Sequence, residues 1–168
     1  MNEFIFNNFF MDLYLIIFSW YLYHFIEYSL HKLGHKSYSG YINKIHKNHH
    51  IIYYPPTKLM DIAPYKTGYI YGISDGLIAF GPLLLLLFSI FYYFLNTYYF
   101  NRITSQILLF AYTQDYIHTH IHIKDSWLER YQWFLNCRKR HFIHHRRYNR
   151  NINIIDSTMD TIMNTKIF

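Results

Sequence analysis

Cysteine is nearly absent from this chain of 168 residues: Cys137 stands alone. That excludes an internal disulfide and any thiolate-based zinc or iron–sulfur site. Charge is sparse too, with Asp, Glu, Lys and Arg making up 15% of residues. No Gly/Ser linker, block of like charge or internal repeat divides the chain, and the length suits one domain over residues 1–168. A zinc hydrolase would carry Glu beside its histidine pair to activate water, as in H-E-x-x-H. Lys32 and Leu33 follow His31 instead. The E-x-x-H motif of soluble di-iron carboxylate bundles is also missing. So are flavin and nicotinamide motifs, and bis-histidine haem would need more than His24 inside an apolar segment.

Hydrophobic residues make up 52% of the chain and aromatic residues 22%, which is greasy for a soluble domain of this size. Phe9 to Ile26 and Leu77 to Leu95 are each about long enough to span hydrocarbon. Ile103 to Ile117 is shorter and carries Gln106, Gln114 and Asp115. Three spans, near 9–28, 77–98 and 103–120, place residues 31–66 and 118–168 on one side. Gly81-Pro82 leaves a fourth open, as a kink or a re-entrant pair over residues 69–99. Fifteen of the sixteen Lys and Arg then share that side, and Arg102 stands opposite. By the positive-inside rule the basic side is cytosolic. The +6 net charge therefore reads as topology rather than nucleic-acid binding. The expected fold class is an all-α integral-membrane helical bundle of three to four spans with a cytosolic helical cap.

Histidine carries the chemistry. Ten of the twelve histidines fall into four clusters: His31/His35, His46/His49/His50, His118/His122 and His141/His144/His145. Spacings of three and four residues put imidazoles on one helix face. Four such groups can enclose two metals in a nitrogen shell, with neutral imidazole as the binding form. Imidazole suits zinc, copper, iron and nickel, so ligand type alone does not name the metal. His120 lies about 200° round the helix from His118 and is not expected to be a ligand. His24, two turns before His31, is either a core histidine or part of a substrate path. Asp115 is the leading candidate to accept the second N–H of a ligating histidine, ahead of Glu27 and Asp156. Trp127 and Trp133 look like anchors of the cap.

The ordered set H-x-x-x-H, H-x-x-H-H, H-x-x-x-H, H-x-x-H-H resembles the fatty acid hydroxylase/sterol desaturase superfamily over roughly His24 to Thr165. Asp115 stands three residues before His118, as in fatty acid 2-hydroxylases, and Asp160-Thr-Ile-Met-Asn-Thr165 is similar to that family's W-D-x-x-F-G-T ending. Met159, Asn164, Ile117 and Lys32 depart from the pattern. The resemblance implies two iron ions, O2 as co-substrate, with zinc a possible substitute in preparations, and hydroxylation of a fatty acyl or sphingolipid C–H bond. It implies no catalytic side chain beyond the metal centre. It also implies a membrane lipid substrate, cytochrome b5 or a similar electron donor with its reductase, and the endoplasmic reticulum membrane in a eukaryotic host. A sterol oxidase/desaturase, a carotenoid hydroxylase and a non-redox metal transporter or sensor are the alternatives.

Overall fold

The computed structural model describes residues 3–66 and 74–168, with side chains from residue 9 onward. Its described residues form six α-helices: α1 Glu3–Gly34, α2 Tyr41–Asn48, α3 Asp75–Phe94, α4 Thr97–Ile121, α5 Gln132–Arg146 and α6 Thr158–Ile162. Helix α1 contains no proline and ends where Gly34 stops it. Gly34 also lets α2 approach: a Cβ there would stand 3.1–3.3 Å from the side chain of His46. Helix α2 starts after Gly40, whose φ of +56° favours glycine. It then loosens into a π-helical turn over His49–Tyr53 that stops at Pro55-Pro56.

Helices α3 and α4 form a hairpin. Asn96 caps α4 by accepting the Tyr99 N–H at 3.1 Å. At the other end of α3, the buried Asp115 carboxylate of α4 accepts from Ser74 N at 2.6 Å, from Leu77 N at 3.4 Å and from the Ser74 hydroxyl. The free N–H groups of the α3 N-terminus thus find an anion. Gly76 leaves the room, because a Cβ there would sit 2.5 Å from Asp115 Oδ1. Gly76→Ala is therefore expected to cost about 1–3 kcal/mol through overpacking; a urea midpoint equal to wild type would refute this cap.

Leu15 and Tyr23 of α1, Leu84 of α3 and Ile103, Ile107 and Ala111 of α4 make one core. A second joins Ile117 and Ile121 to Leu128, Phe134, Cys137 and Ile154. Phe134 is fully buried there. The C-terminal segment is pinned to α1 by the buried Glu27, which accepts from Ile154 N at 2.8 Å and Asn153 Nδ2 at 2.5 Å. Asp160 closes the tail on itself, accepting from Ile152 N, Asn153 N and Thr165 Oγ1.

The expected integral-membrane bundle of three to four spans is corrected by this architecture. Among the described residues, α1 from Phe9 and α3 are the helices long and apolar enough to cross a membrane, by length and composition alone. The expected span 103–120 lies within α4, where Thr104, Gln114, Asp115, Thr119 and His120 are buried inside the protein. Two spans would also leave residues 31–66 and residues after α3 on opposite sides, whereas the structure brings their histidines together. The charge asymmetry consequently gives no topology, and the integral-membrane, endoplasmic-reticulum localisation with cytosolic clusters falls with it. What stands is an all-α bundle. The segment expected at 77–98 is α3, which runs unbroken through Gly81-Pro82 and ends at Phe94; residues 69–73 of the expected re-entrant pair lie outside the described residues.

Candidate metal centre

All ten clustered histidines converge in two groups of five. One group is His31, His35, His46, His50 and His144; the other is His49, His118, His122, His141 and His145. Within each group the ligand nitrogens lie within 4.8 Å of one another. The partition follows helix geometry. Each group takes one i,i+4 pair from a long helix, His31/His35 of α1 or His118/His122 of α4. Each takes a second i,i+4 pair from an H-x-x-H-H, His46/His50 or His141/His145. The remaining histidine of each doublet, His49 or His144, points about 100° away and completes the opposite group. The π turn begins at His49, so the chain opens where the two groups divide.

Inside each group imidazole nitrogens meet nitrogen to nitrogen. His141 Nε2 stands 3.0 Å from His118 Nε2, 3.1 Å from His122 Nε2 and 2.9 Å from His145 Nε2. His35 Nε2 stands 2.9 Å from His46 Nε2 and 3.1 Å from His144 Nε2. A neutral imidazole has a single N–H. On His122, His145 and His144 that proton is on Nδ1, donated to the carbonyls of Leu59 at 2.7 Å, Tyr54 at 2.9 Å and Arg150 at 2.9 Å. Their Nε2 lone pairs therefore face other nitrogens, and His141 can donate to one of its three neighbours at most. A shared cation removes the conflict. Two nitrogens bound about 2.1 Å from one ion at right angles stand about 3.0 Å apart, against about 3.4 Å for a tetrahedral ion. The observed 2.9–3.1 Å edges match the former.

Burial sets the protonation state. It lowers every one of these histidines below the ordinary imidazole range. His118 is brought to about 4 by burial, His35 to about 4 by burial and the neighbouring Lys36, and His145 to about 3 by burial. The sites are thus held neutral, the form that binds metal. The sign for stability follows. Above pH about 6.5 neither the folded nor the unfolded chain protonates these rings; below it the unfolded chain binds protons first. The metal-free protein is expected to lose stability progressively as pH falls from 6.5 toward 4. Urea midpoints that stay level across that interval would contradict the burial.

Other candidates fall elsewhere. His120 lies outside both groups, with Nδ1 2.9 Å from Ser126 Oγ. His24 is 1% exposed, lies between the rings of Trp20 and Tyr23 and has Nδ1 2.9 Å from Glu27 Oε2, which makes it a core histidine. Asp115, expected beside a ligating imidazole, is used on the α3 N-terminus. Asp156 accepts from Trp20 Nε1 and Thr158. The groups that do orient the ligands are backbone carbonyls of the Tyr54–Leu59 loop and of Arg150, which no side-chain motif reveals. Trp127 and Trp133 are half exposed, and Trp127 donates to the Tyr116 hydroxyl.

Both groups border one cleft. His31 and His46 of the first and His49, His118 and His122 of the second line it, beneath Ile26, Leu30, Phe80, Leu84 and Ala111. Its cavity volume is about 90 Å³, and it is open at its mouth.

No family model, curated protein or solved structure matches the chain. The assignment to the fatty acid hydroxylase/sterol desaturase superfamily is therefore not kept. The membrane-bound lipid hydroxylase falls with it, as do the sterol, carotenoid and transporter alternatives, because the bundle of spans on which they rested is replaced by the packed helices described. The arrangement supports a coarser statement: an all-α protein with two histidine-rich groups able to coordinate metal ions.

Proposed function

We propose that this protein is a two-iron redox enzyme that uses O2. The observation that supports the reading is the pair of five-nitrogen groups, in which His35 meets His46 and His144, and His141 meets His118, His122 and His145, at 2.9–3.1 Å. Five imidazole nitrogens lie within 4.8 Å of one another in each group, one more than a tetrahedral site uses. They suit six-coordinate iron better than four-coordinate structural zinc. Iron bound there would supply the electron chemistry with O2.

The chain's own residues do the rest. Leu59, Tyr54 and Arg150 hold His122, His145 and His144 in one tautomer by accepting their Nδ1–H. The apolar wall of Ile26, Leu30, Phe80 and Leu84 shields the cleft beside both groups from water and receives an apolar substrate. The cleft reaches both groups, so one substrate can sit before both ions. A separate protein such as cytochrome b5 with its reductase supplies electrons, meeting basic side chains of the Arg130–Arg150 stretch, in which no acidic residue occurs.

The test is oxygen uptake. Protein loaded anaerobically with iron and chemically reduced is expected to consume O2 on mixing, and zinc-loaded protein is expected not to. Fully iron-loaded, reduced protein that leaves O2 untouched would end the redox reading while sparing the metal sites.

A further inference from the structure

The two groups differ in how they meet the surface. Of the second group, His122 and His145 are 0% exposed and His141 1%. Its partly exposed ligand, His118, lines the apolar cleft together with His49 and His122. The first group borders the same cleft, yet it also opens elsewhere. His35 and His50 line a separate surface depression with Gly34, Asn43, Lys47 and Tyr148. His35 is the partly exposed ligand at that opening.

Tyr148 lies across it. Its ring stacks on His35 at 5.3 Å with 16° between planes and meets His50 edge-on at 5.2 Å. It is 42% exposed, so it touches two ligands and solvent at once. It stands just beyond the C-terminal end of α5, in a turn after Arg147 rather than in the helix that supplies His144. A turn residue can swing without disturbing the ligand helices.

The charge around the opening has one sign. Lys47 lines it and Lys36 is close enough to lower the pKa of His35. Residues 28–60 contain five lysines and no Asp or Glu. A bare divalent cation would be repelled, whereas an anionic complex of the metal with a multidentate carboxylate would be drawn in. Such a carrier can hand over its ion by replacing carboxylate oxygens with imidazole nitrogens one at a time, with no change of oxidation state. The cleft is the less favourable route, because a charged chelate there loses hydration against Ile26, Leu30, Phe80 and Leu84 and, being anionic, meets the carboxyl groups of Glu27 and Asp115 in the lining.

We propose that the depression at His35, His50 and Tyr148 is the exchange door of the first metal site, that the ion passes through it as an anionic carboxylate chelate, and that Tyr148 is its shutter. The proposal rests on the two-site reading.

The experiment uses the full chain loaded with two cobalt(II) ions and challenged with EDTA, with release followed by absorbance and elemental analysis. Release is expected in two phases of one ion each, the fast one absent from His31→Ala, which lacks the first site. Tyr148→Ala should speed the fast phase about tenfold, the ratio that corresponds to about 1.4 kcal/mol of lost ring contact. The slow phase should not change. Tyr148→Phe should match wild type, and Lys47→Glu should slow the fast phase. Equal release rates for both ions would overturn the proposal, as would an unchanged fast phase in Tyr148→Ala or equal acceleration of both phases. Binding of fewer than two ions at saturation would instead overturn the two-site reading itself, and the door with it.

Discussion

His141→Ala is expected to lower bound metal from two ions per chain to one. His141 Nε2 stands within 3.1 Å of the Nε2 atoms of His118, His122 and His145, so its removal opens the centre of the second group. Losing a partner that only orients a ligand costs roughly 10–100-fold in metal affinity. Losing the ligand itself should cost at least about 100-fold. The first group shares no nitrogen with the second and should keep its ion. His31→Ala should show the mirror result, emptying the first group and leaving the second. Elemental analysis after gel filtration reads both. The loss of both ions in both variants, with the fold intact by circular dichroism, would mean one merged site rather than two. His120→Ala serves as the control and should retain two ions, since His120 points at Ser126.

The largest stability effect is expected from Glu27→Ala, away from any ligand. The Glu27 carboxylate is 6% exposed and takes hydrogen bonds from Asn153 Nδ2 and the Ile154 N–H, with His24 Nδ1 at 2.9 Å. These contacts bridge 126 or more residues of sequence, so one side chain fixes α1 to the C-terminal segment. Alanine leaves the Ile154 N–H and His24 Nδ1 without that partner and costs Asn153 Nδ2 one of its two acceptors, the His24 carbonyl at 3.0 Å remaining, at roughly 1–3 kcal/mol for each lost bond. The effects overlap, and a net loss of about 4 kcal/mol is expected, a large part of a stability of about 5–15 kcal/mol. Urea denaturation of the metal-free protein measures it without the contribution of bound ions. A loss under about 1 kcal/mol would mean that the tail is held by the Asp160 closure and by apolar packing instead.

That the ten clustered histidines share helix faces was legible in the sequence, because four-residue spacing on a helix is geometry that needs no tertiary context. The division into two groups was legible in principle, since His46/His50 and His141/His145 are i,i+4 pairs and His49 and His144 are out of phase with them. What orients the rings was not legible. The carbonyls of Tyr54, Leu59 and Arg150 belong to the backbone and carry no residue signature. The role of Asp115 is hidden for a related reason: its place one turn before His118 is the same whether it serves an imidazole or the start of a neighbouring helix. The third span failed on composition. Aromatic and aliphatic residues in α4 read as lipid-facing, but Ile107 and Ala111 pack in one core with Tyr23 of α1, and α4 also buries Thr104, Gln114 and Asp115. Hydropathy along a chain does not say which neighbour an apolar residue meets.

The central claim is that ten imidazoles hold two separate ions. The measurement that tests it most directly is elemental analysis of protein purified from iron-supplemented cells, with X-ray absorption at the metal edge on the same sample. The account predicts two ions per chain and a first shell of about five nitrogen neighbours at about 2.1 Å, with no sulfur. One ion or none after anaerobic loading, or a shell of four or fewer nitrogens, would contradict it.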